Sequence, residues 1–150
     1  MRIFQGIDEL VAAVGEHLGH SRWHTVSQHQ IDGFAEVTGD SQWIHTDPQR
    51  AAQGPFQGPI AHGYLTLSLL PMLSWEVYRV DGVSMVINYG SNRIRFPSVV
   101  PVGSSVRAGI ELLSVEPAAS GVQVITRVTI GIEDAVKPAC IAEIVSLLVP

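Results

Sequence analysis

The chain of 150 residues has one cysteine, one lysine and few charges of either sign. The lone cysteine, Cys140, excludes an intrachain disulfide, and its apolar neighbours indicate a buried thiol in a reducing compartment. Charged residues make up 15% of the chain, and the formal net charge is -5. Nucleic-acid surfaces need clustered lysine and arginine, so this composition argues against a nucleic-acid partner.

Long hydrophobic runs are also missing. The most apolar stretch, around residues 64–77, is interrupted by Ser68, Pro71 and Glu76 and is too short to span a bilayer. The N-terminus has neither the charge pattern nor the apolar run of a signal peptide. We therefore expect a cytoplasmic protein that has no membrane association.

The residues that are present favour one globular domain over 1–150. Hydrophobic residues make up 46% of the chain, which excludes a disordered protein. A chain of this length buries one core and has no room for two ordinary domains. The low charge content indicates that some apolar surface meets another subunit, so we expect a homodimer.

The first half of the chain reads as helices. Three-and-four spacing of apolar residues predicts a helix over 6–18, within an N-terminal helix extension at 1–20. Ser27 is a suitable N-cap for a second helix that ends near Gly39, and 41–59 reads as loop with one or two helical turns. Residues 62–78 are apolar on nearly every face, which predicts a helix buried on all sides and bent at Pro71.

The second half reads as strands. Apolar residues alternate along 105–112 and 122–132, and the segments 85–96 and 140–149 complete four long strands separated by turn signals. Helices followed by strands predict an α+β class, with a long antiparallel sheet curled around the 62–78 helix. The alternative, helices laid flat on one sheet face, would need a polar stripe that this helix lacks.

Two residues at the end of the second helix suit acid/base chemistry. Asp40 and His45 lie five residues apart across a turn whose length lets both face one cavity. A carboxylate beside an imidazole can take and return protons, and the Asp40 charge would raise the pKa of His45 toward working pH. Spacing alone also fits a turn residue beside a surface histidine.

Three separated motifs resemble the MaoC-like (R)-specific enoyl-CoA hydratases. The first, Gly-Asp-Ser-Gln-Trp-Ile-His at 39–45, is similar to the hydratase-2 motif of that family. The second, at 59–65, reads Pro-Ile-Ala-His-Gly-Tyr-Leu and resembles the start of the family's central helix. The third comprises 93–96 and 101–103, and together the matches cover about residues 25–149.

The resemblance implies a hot-dog fold and an enzyme that adds water to enoyl thioesters in fatty-acid metabolism. It implies that Asp40 and His45 activate the water, and that the Gly63 N–H faces the thioester oxygen. The substrate would be an acyl-CoA thioester, with no metal or other cofactor. The six histidines show no spacing typical of a metal site.

The first motif departs from the family at Gln42 and Trp43, where the common form has Asn-Pro. This variant resembles the nodulation-protein-N-like branch. Gln42 keeps an amide that can bind substrate, but its extra methylene moves the amide. Trp43 either floors the acyl tunnel or packs against the sheet, and packing is the favoured interpretation.

Other polar residues have weaker assignments. His62 is expected to orient the helix start through hydrogen bonds. Arg93 and Arg95 alternate on one strand face, where they could bind coenzyme A phosphates or simply be solvated.

Three other functions stay open. They are a (3R)-hydroxyacyl-ACP dehydratase, an acyl-CoA thioesterase and a non-catalytic acyl-binding subunit. The filled Asp40 and His45 positions argue against the last.

Overall fold

The computed structural model describes all 150 residues, with short helices in the first half and long strands in the second. Eight strands and six helices form, most of the strands in one sheet. In chain order the elements are β1 (Arg2–Phe4), α1 (Ile7–Ala12), β2 (His17–His20), β3 (His24–Thr25), α2 (Gln28–Thr38), α3 (Trp43–Thr46), α4 (Pro48–Ala52), α5 (Gly63–Ser68), α6 (Leu70–Val77), β4 (Tyr78–Val80), β5 (Met85–Arg95), β6 (Ser105–Ala118), β7 (Gly121–Ile132) and β8 (Cys140–Val149).

The main sheet is antiparallel and has the order β2-β6-β7-β8-β5, with β3 also paired to β6. A second, two-stranded sheet joins β1 and β4 in parallel. One face of the main sheet, carrying Ala108, Ile110 and Val128, joins a core of 24 buried residues. Leu65, Leu69 and Leu73 of α5 and α6 belong to the same core. The predicted α+β class, with a sheet wrapped around a helical segment, is confirmed.

The N-terminal prediction is wrong in its extent. The helix covers only Ile7–Ala12, and His17–His20 form a strand that pairs with β6. The apolar spacing over 6–18 fits a helix, but α1 ends at Ala12, and Gly15, with a φ of +89°, already donates its N–H to the Leu112 carbonyl oxygen of β6. Leu18 is buried because it faces the sheet core rather than a helix partner. The first 20 residues are thus part of the main fold rather than a helical extension.

The helix capped by Ser27 forms as predicted. The Ser27 hydroxyl accepts the Gln30 N–H, while the Gln30 side chain accepts the Ser27 N–H, forming a capping box. At the other end Gly39 adopts the left-handed conformation, with a φ of +75°, and ends α2. Asp40 begins the loop that follows α2. The left-handed conformation of Gly39 sets the direction in which this loop leaves the helix.

The central helical segment differs from its prediction in two ways. It is divided into α5 and α6 at Leu69, two residues before Pro71, whose missing N–H cannot continue the helical bonding. It is also not buried on all sides, because Tyr64 is 68% exposed and Trp75 is 73% exposed. An apolar surface therefore remains uncovered on this chain. No helix combines the length and hydropathy needed to cross a membrane.

Candidate active site

Three chain segments meet beside the end of α2. Asp40 lies in the loop after Gly39, His45 lies in α3, and His62 immediately precedes α5. One polar side-chain atom from each of these residues lies within 4.8 Å of the other two. Asp40 is exposed, whereas His45 and His62 are buried. The predicted pair is thus brought together, with a second histidine behind it.

Hydrogen bonds fix the orientation of His45. Its Nδ1 lies 2.7 Å from the Ile60 carbonyl oxygen, so Nδ1–H donates to that oxygen. In the neutral ring this leaves the lone pair on Nε2. The His45 carbonyl oxygen in turn accepts a bond of 2.8 Å from the Gln28 side-chain amide, which joins α3 to α2. His45 therefore presents one defined ring nitrogen as an acceptor.

His62 connects the two other residues. Its ring stacks on that of His45 with centroids 3.8 Å apart, and its Nε2–H donates to the Asp40 carbonyl oxygen at 2.9 Å. His62 is expected to orient the start of the helix through hydrogen bonds, and its ring also binds the loop that carries Asp40. Its Nδ1 is buried and has no partner. Sequence spacing contained no signal for this ring stacking.

The pKa of His45 is lowered, and the expected rise is wrong. Burial disfavours the imidazolium and is the largest cause. The bond to Ile60 and the Asp40 charge act in the opposite direction, while the His62 ring lowers the pKa further. The Asp40 charge raises the pKa of His45 as expected, but the desolvation of the ring lowers this pKa by more. His45 is neutral near pH 7.

The same three side chains do not form a fitting metal site. The stacked rings of His45 and His62 are inclined by only 27°, so their in-plane lone pairs do not converge on one ion. The His62 Nδ1 is enclosed and its Nε2 is engaged with Asp40. Asp40 and the Nε2 of His45 are the two groups left free for a ligand.

Gly63 begins α5 directly after His62. Backbone N–H groups in the first turn of a helix have no acceptor within the helix and are free to bind a ligand oxygen. A Cβ at this position would lie 3.0 Å from the Phe96 ring. A side chain at this position would therefore need the ring of Phe96, which directly follows β5, to move by a few tenths of an ångström.

The two residues that depart from the family motif have different environments. Gln42 is exposed, and its carbonyl oxygen accepts the His45 N–H at 2.9 Å, opening α3. Trp43 packs on the α4 segment: the Arg50 guanidinium lies 4.5 Å from its ring centroid, and a Cβ on Gly54 would lie 2.8 Å from the ring. The packing interpretation fits, but α4 rather than the sheet provides the surface.

Arg93 and Arg95 lie apart from this cluster. Both are exposed on β5, and Ile94 between them packs against the core, so the arginines face away from it. Arg93 lies opposite Glu143 of β8, and the Arg95 guanidinium donates to the Ile94 carbonyl oxygen. A role in coenzyme A binding stays a prediction for both residues.

A cavity of about 220 Å³ lies between α6 and the concave face of the sheet. The sequence patterns gave no signal for the strand residues that complete the wall of this cavity. The cavity is lined mainly by α6, β4, β5, β7 and β8, with Leu70, Pro71, Ser74, Trp75, Val86 and Ile144 among its walls.

The curved antiparallel sheet, the helix inside it and a polar cluster at the start of that helix define a hot-dog protein. A family model described as a MaoC-like domain matches residues 9–132. The chain belongs to this MaoC-like family and is an enzyme of the hydro-lyase type.

Similar proteins agree with this assignment. The chain is 51% identical to 3-hydroxyacyl-thioester dehydratase Z of Mycobacterium tuberculosis over 144 residues, covering 95% of each chain. It is 40% identical to nodulation protein N of Rhizobium leguminosarum bv. viciae, covering 93% of this chain and 89% of that protein. Among solved structures, an (R)-hydratase from A. caviae involved in PHA biosynthesis superposes with a TM-score of 0.73 at 25% identity, covering 90% of this chain and 96% of that one.

The lowered pKa of His45 predicts a specific titration. At pH 6.5 the ring should be mainly neutral, with its proton on Nδ1, and it should titrate below that pH. Asp40→Asn should lower the pKa further, because the Asp40 charge favours the imidazolium. Long-range ¹H–¹⁵N NMR of the histidine rings measures both. A His45 ring that is mainly protonated at pH 6.5 would contradict the assignment.

Proposed function

We propose that this enzyme catalyses the reversible syn addition of water to a trans-2-enoyl-CoA, giving a (3R)-3-hydroxyacyl-CoA. The observation that carries the proposal is the pairing of an exposed carboxylate with an oriented imidazole: polar atoms of Asp40 and His45 lie within 4.8 Å. That separation suits a single water bound between them, donating one hydrogen to each.

Asp40 and His45 interact with the water in different ways. Because Nδ1–H of His45 is committed to Ile60, Nε2 accepts a hydrogen from the water and holds its oxygen toward the substrate. The Asp40 carboxylate takes the other proton as the water oxygen bonds to the β-carbon of the enoyl group. A neutral His45 is suited to this role, because an imidazolium could not accept.

The charge that develops on the substrate needs its own partner. As the water adds, the double-bond electrons move to give an enolate whose negative charge lies on the thioester oxygen. The Gly63 N–H at the start of α5 is the donor that we assign to this oxygen. Asp40 then returns its proton to the α-carbon on the same face, so the water is added across the double bond in full.

The cavity between α6 and the sheet is the place we assign to the acyl chain. Leu70, Val128 and Ile144 give it apolar walls, and its lining begins at Leu70, the first residue of α6. Trp43 packs against Arg50 and Gly54 and does not line this cavity. We therefore assign chain-length selection to the α6 cavity and a loop-supporting role to Trp43. Gln42, exposed beside Asp40, is assigned to substrate contact.

The direction of the reaction and the carrier of the acyl group are also part of what we propose. Hydration and dehydration follow the same path in opposite directions, so relatives named as dehydratases and as hydratases are consistent with the same chemistry. Coenzyme A is our assignment for the carrier, and an acyl carrier protein is the alternative. Comparing crotonyl-CoA hydration with acyl-CoA hydrolysis distinguishes a hydratase from a thioesterase. A cytoplasmic location stays a prediction.

We further propose that the enzyme is a homodimer joined along β5. This strand is the edge of the main sheet, and Met85, Val86, Ile87 and Tyr89 on it are all at least 40% exposed. Exposed Trp75 of α6 extends the same apolar surface, since it shares a cavity with Val86. Unpaired edge strands with apolar side chains favour pairing with another chain. Light scattering should give twice the chain mass of 16.2 kDa, and a monomer at micromolar concentration would contradict the proposal.

Asp40→Asn tests the proposed base. It should slow crotonyl-CoA hydration by about 10²–10⁴-fold, because the amide cannot take a proton, while the unfolding temperature stays close to that of the wild type. Glu36→Gln is a matched control, since it removes an exposed carboxylate from the last turns of α2. Wild-type turnover in Asp40→Asn would refute the scheme.

A pair of substitutions at Gly63 tests the oxyanion donor. Gly63→Pro removes the N–H at a helix position that tolerates proline, whereas Gly63→Ala keeps the N–H. Both place new atoms near the Phe96 ring, so steric effects are shared. We expect kcat to fall by about 10²–10³-fold more in the proline variant than in the alanine variant. Equal losses in the two variants would assign the effect to packing instead.

A further inference from the structure

A polar cleft of about 240 Å³ lies on the outer face of the sheet, and it shares no residue with the proposed active site. Its β6 residues alternate with the buried Ala108 and Ile110, so they point away from the central helix. We call this the outer-face cleft. Its lining comprises His17, His20, Trp23, Arg107, Gly109, Glu111, Arg127, Thr129 and Gly131.

The floor of the cleft is bare backbone. A Cβ on Gly109 would lie 3.0 Å from the His20 ring and 3.2 Å from the Nε2 of His17, so both rings rest over this glycine. The two ring centroids are 4.7 Å apart. His17 Nδ1 accepts the Gly19 N–H at 3.2 Å, which leaves the proton of the neutral ring on Nε2. At least one N–H donor therefore lies at the floor.

Charges along one row of the outer face are already paired. Cross-strand neighbours in this row are His17, Glu111, Arg127, Glu143 and Arg93, one from each of the five strands. Arg127 lies 2.8 Å from a Glu111 oxygen and 3.5 Å from a Glu143 oxygen. These three residues satisfy one another and leave no carboxylate for the rest of the cleft.

Of the two arginines that line the cleft, Arg107 has no ionic partner. Its cross-strand neighbour is Gly131, and the ion pairs of the protein involve only Arg2, Arg22, Arg79 and Arg127. Its guanidinium lies 4.4 Å from the Trp23 ring centroid. Stacking occupies the face of a guanidinium and leaves its N–H edge free to donate two hydrogen bonds to one oxyanion.

Positive groups are crowded here. The pKa of His20 is lowered first by burial and then by the charges of Arg107 and His17. The lining of the cleft contains two arginines and one glutamate, whereas the chain as a whole carries a net charge of -5. An anion between these groups would relieve the repulsion.

We propose that the outer-face cleft binds an oxyanion of the phosphate class, either inorganic phosphate or a phosphate monoester. The Arg107 edge and the His17 Nε2–H are the donors, and the His20 ring supplies a third when protonated. Glu111 also lines the cleft, and its ion pair with Arg127 offsets part of its negative charge. This proposal does not depend on the enoyl hydratase assignment, because no residue is shared.

Histidine-ring NMR during titration with inorganic phosphate at pH 7 tests the proposal. The signals of His17 and His20, assigned by substituting each in turn, should move with a saturable dependence on phosphate, while those of His45 and His62 should not. A second titration with phenyl phosphate separates the two sources. Tighter binding of the monoester indicates a phosphorylated metabolite that also contacts Trp23, and equal binding indicates free phosphate. Unmoved His17 and His20 signals in both titrations would overturn the proposal.

Three variants test whether the NMR response to phosphate arises from binding in the outer-face cleft. Arg107→Gln should weaken phosphate binding by roughly tenfold or more, because a charge-assisted bidentate contact is lost, and should leave crotonyl-CoA hydration unchanged. Gly109→Ala keeps every charge but fills the floor, and it should also weaken binding. Arg50→Gln is the matched control, since Arg50 stacks on Trp43 elsewhere. Wild-type affinity in Arg107→Gln, or an equal loss in Arg50→Gln, would contradict the assignment.

Discussion

The stacked pair of His45 and His62 is the contact on which the geometry of the site depends. His62 binds the Asp40 carbonyl oxygen while its ring lies against that of His45. Through this one side chain, the loop after α2, the short helix α3 and the start of α5 are held together. The arrangement leaves the His62 Nδ1 buried without a partner, which costs about 1–3 kcal/mol. The surrounding core of the sheet and helices offsets that cost.

The contact also divides the chemical roles of the proposed pair. Burial, and to a smaller extent the neighbouring His62, lowers the pKa of His45 and favours its neutral ring, whereas Asp40 remains exposed. A neutral acceptor and an ionised base can then hold the same water without competing for one proton. Gly63 follows His62 directly, so the residue that positions the acid/base pair also fixes the proposed oxyanion donor.

Local sequence signals predicted most of the fold. Ser27, Gly39 and the alternating strands of the second half formed the elements expected from caps, turns and periodicity. Two predictions failed at places where tertiary contacts determine the secondary structure or the burial of a residue. The segment around Leu18 joined the sheet as β2, and Trp75 remained exposed on a helix whose composition suggested full burial.

The site was predictable only in part. The positions of Asp40 and His45 followed from spacing and motif, but the sign of the pKa shift depends on burial and on a ring that is 17 residues away in sequence. The sequence could not predict the outer-face cleft, because its residues come from β2, β6 and β7, whose register is set by strand pairing, and from the loop that carries Trp23.

In the proposed mechanism Asp40 and His45 act on one water. The most direct test is a double-mutant cycle with Asp40→Asn, His45→Gln and the combined variant, measured by kcat/KM for crotonyl-CoA hydration. Residues that act as a unit have non-additive effects, so the combined variant should be no slower than the slower single variant, within a few-fold. Losses that multiply in the combined variant would show that the two residues act independently and would contradict the account.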